Sequence, residues 1–401
     1  TDKQPTQKFL KSNIIIVEDI FDYLSRLAKK KRSLYKGKVI GVTGSIGKTS
    51  VKENLNFFLS SYFNVFASIK SYNNYLGIIV SLLNLDLSSD FAIFEIGTNN
   101  FLEIRNLTSI VLPSQVIITN IYPTHLEKLI STKKISEEKS DIFNLKYNSN
   151  VKLAILGNNN IDERRIIKKA QKLQAFEIMT FGKGLNSNMT IDKIKKLDNL
   201  EINVDVIYQN KKINFTISQN QLHRINNFLI CLLVLIYNKI NLKHFLLKTR
   251  EVPLIEGRGL RNEIIFNGKK IYLIDESYNA SPQTMKICID YFDQLKTYHK
   301  QKKILILGDM KELGDLSIKF HKDIINYLSK KKLKNVIICG HLMKISLEKK
   351  YENNIKYMLD KESILNFLKK TINHEDILLI KGSNSAMTND LANYFLKKGN
   401  K

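Results

Sequence analysis

The sequence has no tryptophan, three cysteines and five prolines in 401 residues, and it is short of acid: 38 Asp and Glu stand against 63 Lys and Arg, a net charge of +25. Cys231, Cys288 and Cys339 lie far apart with no Cys-x-x-Cys, which excludes a cysteine zinc site and a disulfide framework. That usage fits a reducing compartment, and a cytoplasmic location is expected. Long apolar runs are also missing. The longest, FLICLLVLIY at 228–237, is too short to span a bilayer and reads as a buried helix. No charged-then-apolar leader opens the chain and residue 1 is Thr rather than Met, so the sequence reads as a piece of a longer one. The acid deficit does not make a nucleic-acid binder. Such a surface needs Lys and Arg clustered on one face with interleaved aromatics, whereas these lysines are scattered from end to end among Asn and Ile. Compositional bias accounts for the charge, which is also compatible with anionic substrates.

What is present is an ordinary globular balance, 43% hydrophobic and 25% charged, over a length that needs more than one core. Four short, β-branched runs, VIGVT (39–43), FAIFEIG (91–97), QVIITNI (115–121) and VKLAIL (151–156), predict strands buried on both faces of a parallel sheet. Helical patterns such as SVKENLNFFLSSYF (50–63) separate them, so the class is α/β. Within 185–215, INVDVIYQ and KINFTI alternate and predict a meander, followed by the buried helix near 226–240. Pro253, Gly257 and Gly259 break the pattern. It restarts with KIYLIDES (270–277), KILILGD (303–309), NVIICG (335–340) and DILLIKG (376–382), a second α/β unit of domain size.

The chemistry begins at Thr43, Gly44, Ser45, Ile46, Gly47, Lys48, Thr49 and Ser50. A strand that ends in this loop and runs into a helix is the setting in which backbone N–H groups and a helix N-terminus hold phosphate. In such a loop Lys48 reaches the outer phosphates and the Thr49 hydroxyl ligates magnesium. Val42 stands where the strict pattern has its first glycine. A glycine-rich turn without a ligand is the competing reading, and the conjunction of Gly44, Gly47, Lys48 and Thr49 after a strand outweighs it. Glu95 ends a strand beside the loop, where open α/β sheets place ligands and a carboxylate suits magnesium. A helix-capping acid is the bland alternative.

Several segments carry a family resemblance. TGSIGKTSVKE (43–53) resembles the phosphate loop of the Mur ligases, ATP-dependent amide-forming enzymes of peptidoglycan synthesis. SYNNYLGI (71–78), FEIGTNNFLEI (94–104) and ITNIYPTHLE (118–127) resemble that family's central domain in the same order. LIDESYNASPQTM (273–285), ILGDMKELGD (306–315) and LLIKGSNS (378–385) resemble its C-terminal domain. The resemblance implies a central P-loop ATPase domain at 37–252 and a Rossmann-like α/β domain at 253–401. Residues 1–36 would be a remnant of the family's first domain and a linker helix, with IIIVEDIFDYLSRLA (14–28) similar to its last strand and that helix.

The implied activity is addition of D-alanyl-D-alanine to a UDP-N-acetylmuramoyl-tripeptide through an acyl phosphate, with ATP and Mg2+. The partners implied are small molecules only, with no nucleic acid and no membrane span, and the chain would act as a monomer. Closing the second domain over the first would bring the amine to the acyl phosphate and exclude water. The resemblance makes Lys48, Glu95, His125 and Lys139 catalytic, and Thr49, Glu95, His125 and Lys139 the metal site, with Lys139 carbamylated by carbon dioxide. It places Asn73 and Asn74 on the peptidyl substrate, His223 and Asn227 near the adenine, and Arg258 and Asp275 at the nucleotide. Ser277, Tyr278 and Asn279 would form a loop facing the nucleotide, with Tyr278 and Asn279 reaching substrate, and Lys381 and Ser383 would meet the dipeptide.

On residue type alone each has a plainer reading: a structural His, solvated lysines, an Asn-Asn turn ahead of a Gly, a capping Asn, an exposed linker Arg. The sequence departs from the family pattern at Asn158, Asn159 and Asn160, at Arg224, and at Asn384, Met387 and Asn389. Three rival readings stand beside the main one. They are another ligase of the folylpolyglutamate or diaminopimelate-adding type, an ATP-binding chain without turnover, and a nucleic-acid-binding ATPase.

Overall fold

The computed structural model describes residues 15–197, 201–297, 301–351, 355–384 and 386–398. Of the expected remnant segment, residues 1–14 lie outside these. The chain folds as two compact units. The first takes the chain up to Ile121 together with Lys133–Ile217 and Arg224–Glu251; the second takes Tyr122–Thr132, Ser218–His223 and Val252 onward.

The first unit is built on a nine-stranded sheet: β1 Lys38–Thr43, β2 Val65–Ala67, β3 Phe91–Glu95, β4 Gln115–Ile118, β5 Leu153–Gly157, β6 Glu177–Phe181, β7 Met189–Lys196, β8 Glu201–Tyr208 and β9 Lys211–Ser218. Their order is β2-β3-β1-β4-β5-β6-β7-β8-β9, parallel from β2 to β7 and antiparallel between β7 and β8. The expected runs become β1, β3, β4 and β5, and β3, β4 and β5 are buried along their whole length, as strands covered on both faces must be. The meander follows as β7–β9, with β8 alternating buried and half-buried positions. The apolar run becomes the helix Ile225–Tyr237, almost wholly buried.

This helix packs on the helix Lys48–Leu59 through an aromatic cluster: Phe58, Phe215, Phe228 and Phe245 lie with ring centroids 4.6–6.5 Å apart. The helix that carries the phosphate loop is thereby anchored from behind. In front, the register sets Val42 of β1 beside Glu95 of β3 and Thr43 beside Ile118 of β4, so three strand ends meet at the loop.

The linker helix Ile20–Leu34 begins on Asp19, whose carboxylate accepts from Phe21 N and Asp22 N. Its basic end serves two neighbours. Lys31 Nζ donates to Leu83 O at 2.7 Å, at the end of the helix Tyr75–Leu83, and Arg32 donates to Val111 O and Leu112 O at 2.6 and 2.8 Å, at the end of the helix Glu103–Val111. Cations there satisfy orphan carbonyls and oppose the helix dipoles.

The second unit holds six strands, β10 Leu260–Phe266, β11 Lys269–Glu276, β12 Lys303–Leu307, β13 Asn335–Cys339, β14 Ile355–Met358 and β15 Ile377–Lys381, in the order β10-β11-β15-β12-β13-β14. Only the β10/β11 hairpin is antiparallel. The last strand slots between β11 and β12, which aligns Glu276, Lys381 and Leu307 across three strand ends. The helix Pro282–Gln294 starts sharply because Ser281 and Thr284 form a capping box and Pro282 occupies its first turn. Among the described residues no helix is long and apolar enough to cross a membrane.

Candidate active site

The phosphate loop is shaped by two glycines. Gly47 takes φ 87° at the N-cap of the helix Lys48–Leu59, a left-handed conformation natural to glycine. Gly44 lies so close to β4 that a Cβ there would stand 1.9 Å from Thr119 Oγ1. The loop crest is pinned by two residues that the sequence reading did not single out. Asn120 accepts from Ser45 N at 3.0 Å and, through its side chain, from Ile46 N at 2.9 Å. The Thr119 hydroxyl and Asn120 Nδ2 donate to Ile46 O at 2.6 and 2.9 Å. The first amide to bond back along the helix is Val51 N, onto Gly47 O at 2.8 Å. The amides of the first turn therefore have no partner inside the helix and point out of its positive end. Lys48 folds its ammonium over the loop, donating to Gly44 O at 2.9 Å and Ser45 O at 3.5 Å. Asn227 borders the same loop, its Oδ1 3.4 Å from where a Cβ on Gly47 would sit.

Glu95 is buried at the end of β3, and both its oxygens are engaged. Oε2 accepts from Thr49 Oγ1 at 2.6 Å and Oε1 from Asn73 Nδ2 at 2.7 Å. It is therefore not a helix cap. It joins the phosphate loop to the segment before the helix Tyr75–Leu83. Asn73 is further held by Gly97 N, which donates to its carbonyl at 2.9 Å. Asn74 spends its side chain on capping that helix, accepting from Gly77 N at 2.9 Å, where residue type alone suggests only a turn.

Lys139 is 1% exposed, and burial, with the nearby Lys48 charge next, holds its amine well below the usual lysine range. Its neighbour Glu138 has a different task. Its carboxylate accepts from Leu102 N at 2.7 Å and Ile104 N at 2.9 Å, capping the helix Glu103–Val111, and burial raises its pKa. Near the sheet's next strand end, Asn160 caps the helix Ile161–Leu173, and Glu163 ties Asn159 N and Ile121 N. The asparagines that depart from the family pattern thus knit their own turn, with Asn158 reaching Leu185 O and Ser187 Oγ.

The structure sets His125 in the second unit, at φ 53°, with Nδ1 2.5 Å from Glu312 Oε2. That contact lowers the Glu312 pKa. Among the described residues no three His, Cys, Asp or Glu side chains converge as a metal centre. The oxygen pair that does meet is Thr49 and Glu95.

In the second unit Asp275 and Lys381 lie at the carboxyl ends of β11 and β15, and Ser277, Tyr278, Asn279 and Ser383 follow them, where such sheets bind ligands, while Arg258 precedes β10. Asp275 accepts from Ser277 N at 2.9 Å, and the Arg258 guanidinium stacks 4.3 Å from the Tyr278 ring centre. Lys381 is 2% exposed; its ammonium donates to Asn279 O at 3.0 Å and lies 3.4 Å from Glu276 Oε2, so it braces the 276–280 loop. Ser383 Oγ accepts from Lys311 N at 2.9 Å and its amide donates to Asp309 O. Asp309 in turn caps the helix His341–Ser346 through Met343 N at 2.9 Å. His223 packs on Tyr291, ring centres 5.6 Å apart.

A glycine-hinged phosphate loop, an acid at the adjoining strand end and a second parallel α/β unit define the class as a nucleotide-dependent enzyme built on two α/β folds. The chain belongs to the Mur ligase family: residues 42–235 match the Mur ligase middle domain and residues 260–384 the Mur ligase, glutamate ligase domain. Among curated proteins it is 30% identical to the UDP-N-acetylmuramoyl-tripeptide--D-alanyl-D-alanine ligase of Rickettsia prowazekii (strain Madrid E), over 96% of this chain and 84% of that one. It is 27% identical to the ligase of the same name from Bacillus subtilis (strain 168), over 92% and 78%. The fold is shared with solved structures of MurF from Acinetobacter baumannii (TM-score 0.82, 24% identity, 97% and 83% covered). It is shared too with MurF ligase from Thermotoga maritima in complex with ADP (0.80, 22%, 100% and 88%).

Proposed function

We propose that this chain is an ATP-dependent ligase that joins D-alanyl-D-alanine to the terminal carboxylate of a UDP-N-acetylmuramoyl-tripeptide, the reaction for which its relatives are named. The observation that carries this reading is Glu95 held between Thr49 and Asn73. One carboxylate links the phosphate loop to the segment assigned to the acceptor, so the two reactants share a wall.

Phosphoryl transfer asks chiefly for positive charge over the γ-phosphate and for position. Lys48 supplies the charge, moving from the carbonyls of Gly44 and Ser45 to the outer phosphates, while the first-turn amides of the helix Lys48–Leu59 receive the inner ones. The Thr49 hydroxyl and Glu95 carboxylate are hard oxygens that meet at 2.6 Å and fit magnesium, which when bound neutralises phosphate charge. Asn73 aims the acceptor carboxylate. That carboxylate attacks the γ-phosphorus and ADP leaves. The amine of the dipeptide then attacks the acyl carbon, and phosphate departs with one oxygen of the former carboxylate. Activation is needed because a carboxylate is a poor electrophile.

Lys139 suits carbamylation because only a neutral amine adds to carbon dioxide, and its burial beside Lys48 favours that form. The addition to the neutral amine releases one proton and leaves a carboxylate anion next to Lys48. We assign His125 to the same metal-binding function, Asn227, Arg258 and Asp275 to the nucleotide, and Asn74, Tyr278, Asn279, Lys381 and Ser383 to the substrates. The last two act through the loops they brace. The chain works as a monomer in the cytoplasm, where its nucleotide-linked substrate resides.

Phosphate release from ATP with magnesium and bicarbonate, measured with each substrate alone and with both, tests the reading. Release that requires both supports it. ATP binding without release in the presence of both overturns it.

A further inference from the structure

The phosphate helix carries a second lysine, one turn past Lys48, that the ligase mechanism leaves unused. Lys52 is 0% exposed. Lysines are rarely interred unless paired, and this one is paired three times. Its ammonium donates to Ser68 O, to Lys70 O at 2.5 Å, and meets Glu53 Oε1 at 2.8 Å, which employs all three of its N–H donors. Positions 48 and 52 share one helix face, yet the two side chains serve opposite sides of the site. Lys48 bends onto the phosphate loop. Lys52 reaches the loop between β2 and the helix Tyr75–Leu83, the loop that ends in Asn73 and Asn74.

That loop is fastened to β3 at two further points. Ser68 N donates to Ile93 O at 2.9 Å, and Ser68 Oγ accepts from Glu95 N at 3.3 Å. Lys70, whose carbonyl faces the ammonium, holds φ 46°, a left-handed conformation that a non-glycine residue keeps only under constraint. The ammonium supplies that constraint. A buried positive charge thus sets how far the acceptor segment stands from the helix that binds the phosphates.

We propose that Lys52 is a positioning residue for the first chemical step: it fixes the 68–74 loop against the phosphate helix so that the acceptor carboxylate presented by Asn73 lies in line with the γ-phosphate. The proposal rests on the ligase reading given above. It predicts a division of effects. Losing the ammonium should leave ATP binding within about threefold, because the phosphate contacts come from other atoms. It should also weaken use of the muramoyl peptide sharply, since an ångström of misplacement costs roughly 100-fold in rate.

The test uses the full chain with Lys52→Gln, read two ways. Amide hydrogen exchange across 68–74 should quicken by roughly tenfold or more while β1 and the helix Lys48–Leu59 keep their protection. In steady-state kinetics the peptide KM should rise and kcat fall, with the ATP KM within about threefold of the parent. Unchanged exchange, or equal rises in both KM values, overturns the proposal. Should Lys52→Gln not fold, Lys52→Arg, which keeps the charge and changes its reach, is judged by the same outcomes. If the unaltered chain shows no ligase turnover, the proposed function falls, and the exchange measurement alone then decides whether Lys52 holds the loop.

Discussion

Both oxygens of Glu95 are committed, one to a hydroxyl and one to an amide, so Glu95→Gln turns an acceptor into a donor facing one of these groups and removes a charge. The expected result is nucleotide binding that survives and turnover reduced roughly 100- to 1,000-fold, checked by phosphate release beside a binding titration. Turnover within tenfold of the parent would take Glu95 out of the mechanism. This residue was legible because an acid at the end of an otherwise apolar run is conspicuous. Lys52 and Glu138 were not. Each sits in a helical stretch of mixed charge, where the local pattern is the same for a solvated lysine as for one that is fully enclosed, and only the folded chain shows which carbonyls and amides surround it. The cap formed by Asn74 reads only as a turn on residue type, although an Asn three residues before a helical glycine is a capping signal in its own right.

At the scale of elements, the buried strands could be read from their β-branched runs, and β1, β3, β4, β5, β11, β12, β13 and β15 all lie within or against those runs. The short or polar strands β2, β6 and β14 carry no such run; their place comes from pairing with a neighbour, which no local window encodes. The loop after β12 depends on a residue of the same kind. His321, on the helix Ser317–Leu328, is fully buried; its Nδ1 donates to Ser317 O at 2.6 Å and its Nε2 accepts from Met310 N at 2.9 Å. Burial holds its pKa below the ordinary histidine value. The unfolded chain thus takes up a proton near pH 6.5 that the folded chain refuses, so the stabilisation is present above that pH and is lost as pH falls below it. His321→Ala orphans Met310 N and should cost about 1–3 kcal/mol at pH 7.5 in thermal unfolding. The gap from the parent should narrow toward pH 5. A gap that stays constant with pH would contradict a neutral His321 as the brace.

For the whole molecule, two α/β units were visible in the alternation that restarts after Pro253. The inclusion of Tyr122–Thr132 and Ser218–His223 in the second unit carries no local signal, being a matter of which distant chain each short segment packs against. It decides where His125 finds its partner. In the proposed reaction the acyl group passes from carboxylate to acyl phosphate to amide, and one oxygen of the former carboxylate leaves with the phosphate. The most direct test is isotopic. A UDP-N-acetylmuramoyl-tripeptide labelled with oxygen-18 in its terminal carboxylate is incubated with ATP, magnesium, bicarbonate and D-alanyl-D-alanine, and the released phosphate is weighed by mass spectrometry. One labelled oxygen is expected in each phosphate formed, in step with amide product. Product formed with unlabelled phosphate, or phosphate released without product, would contradict this reaction.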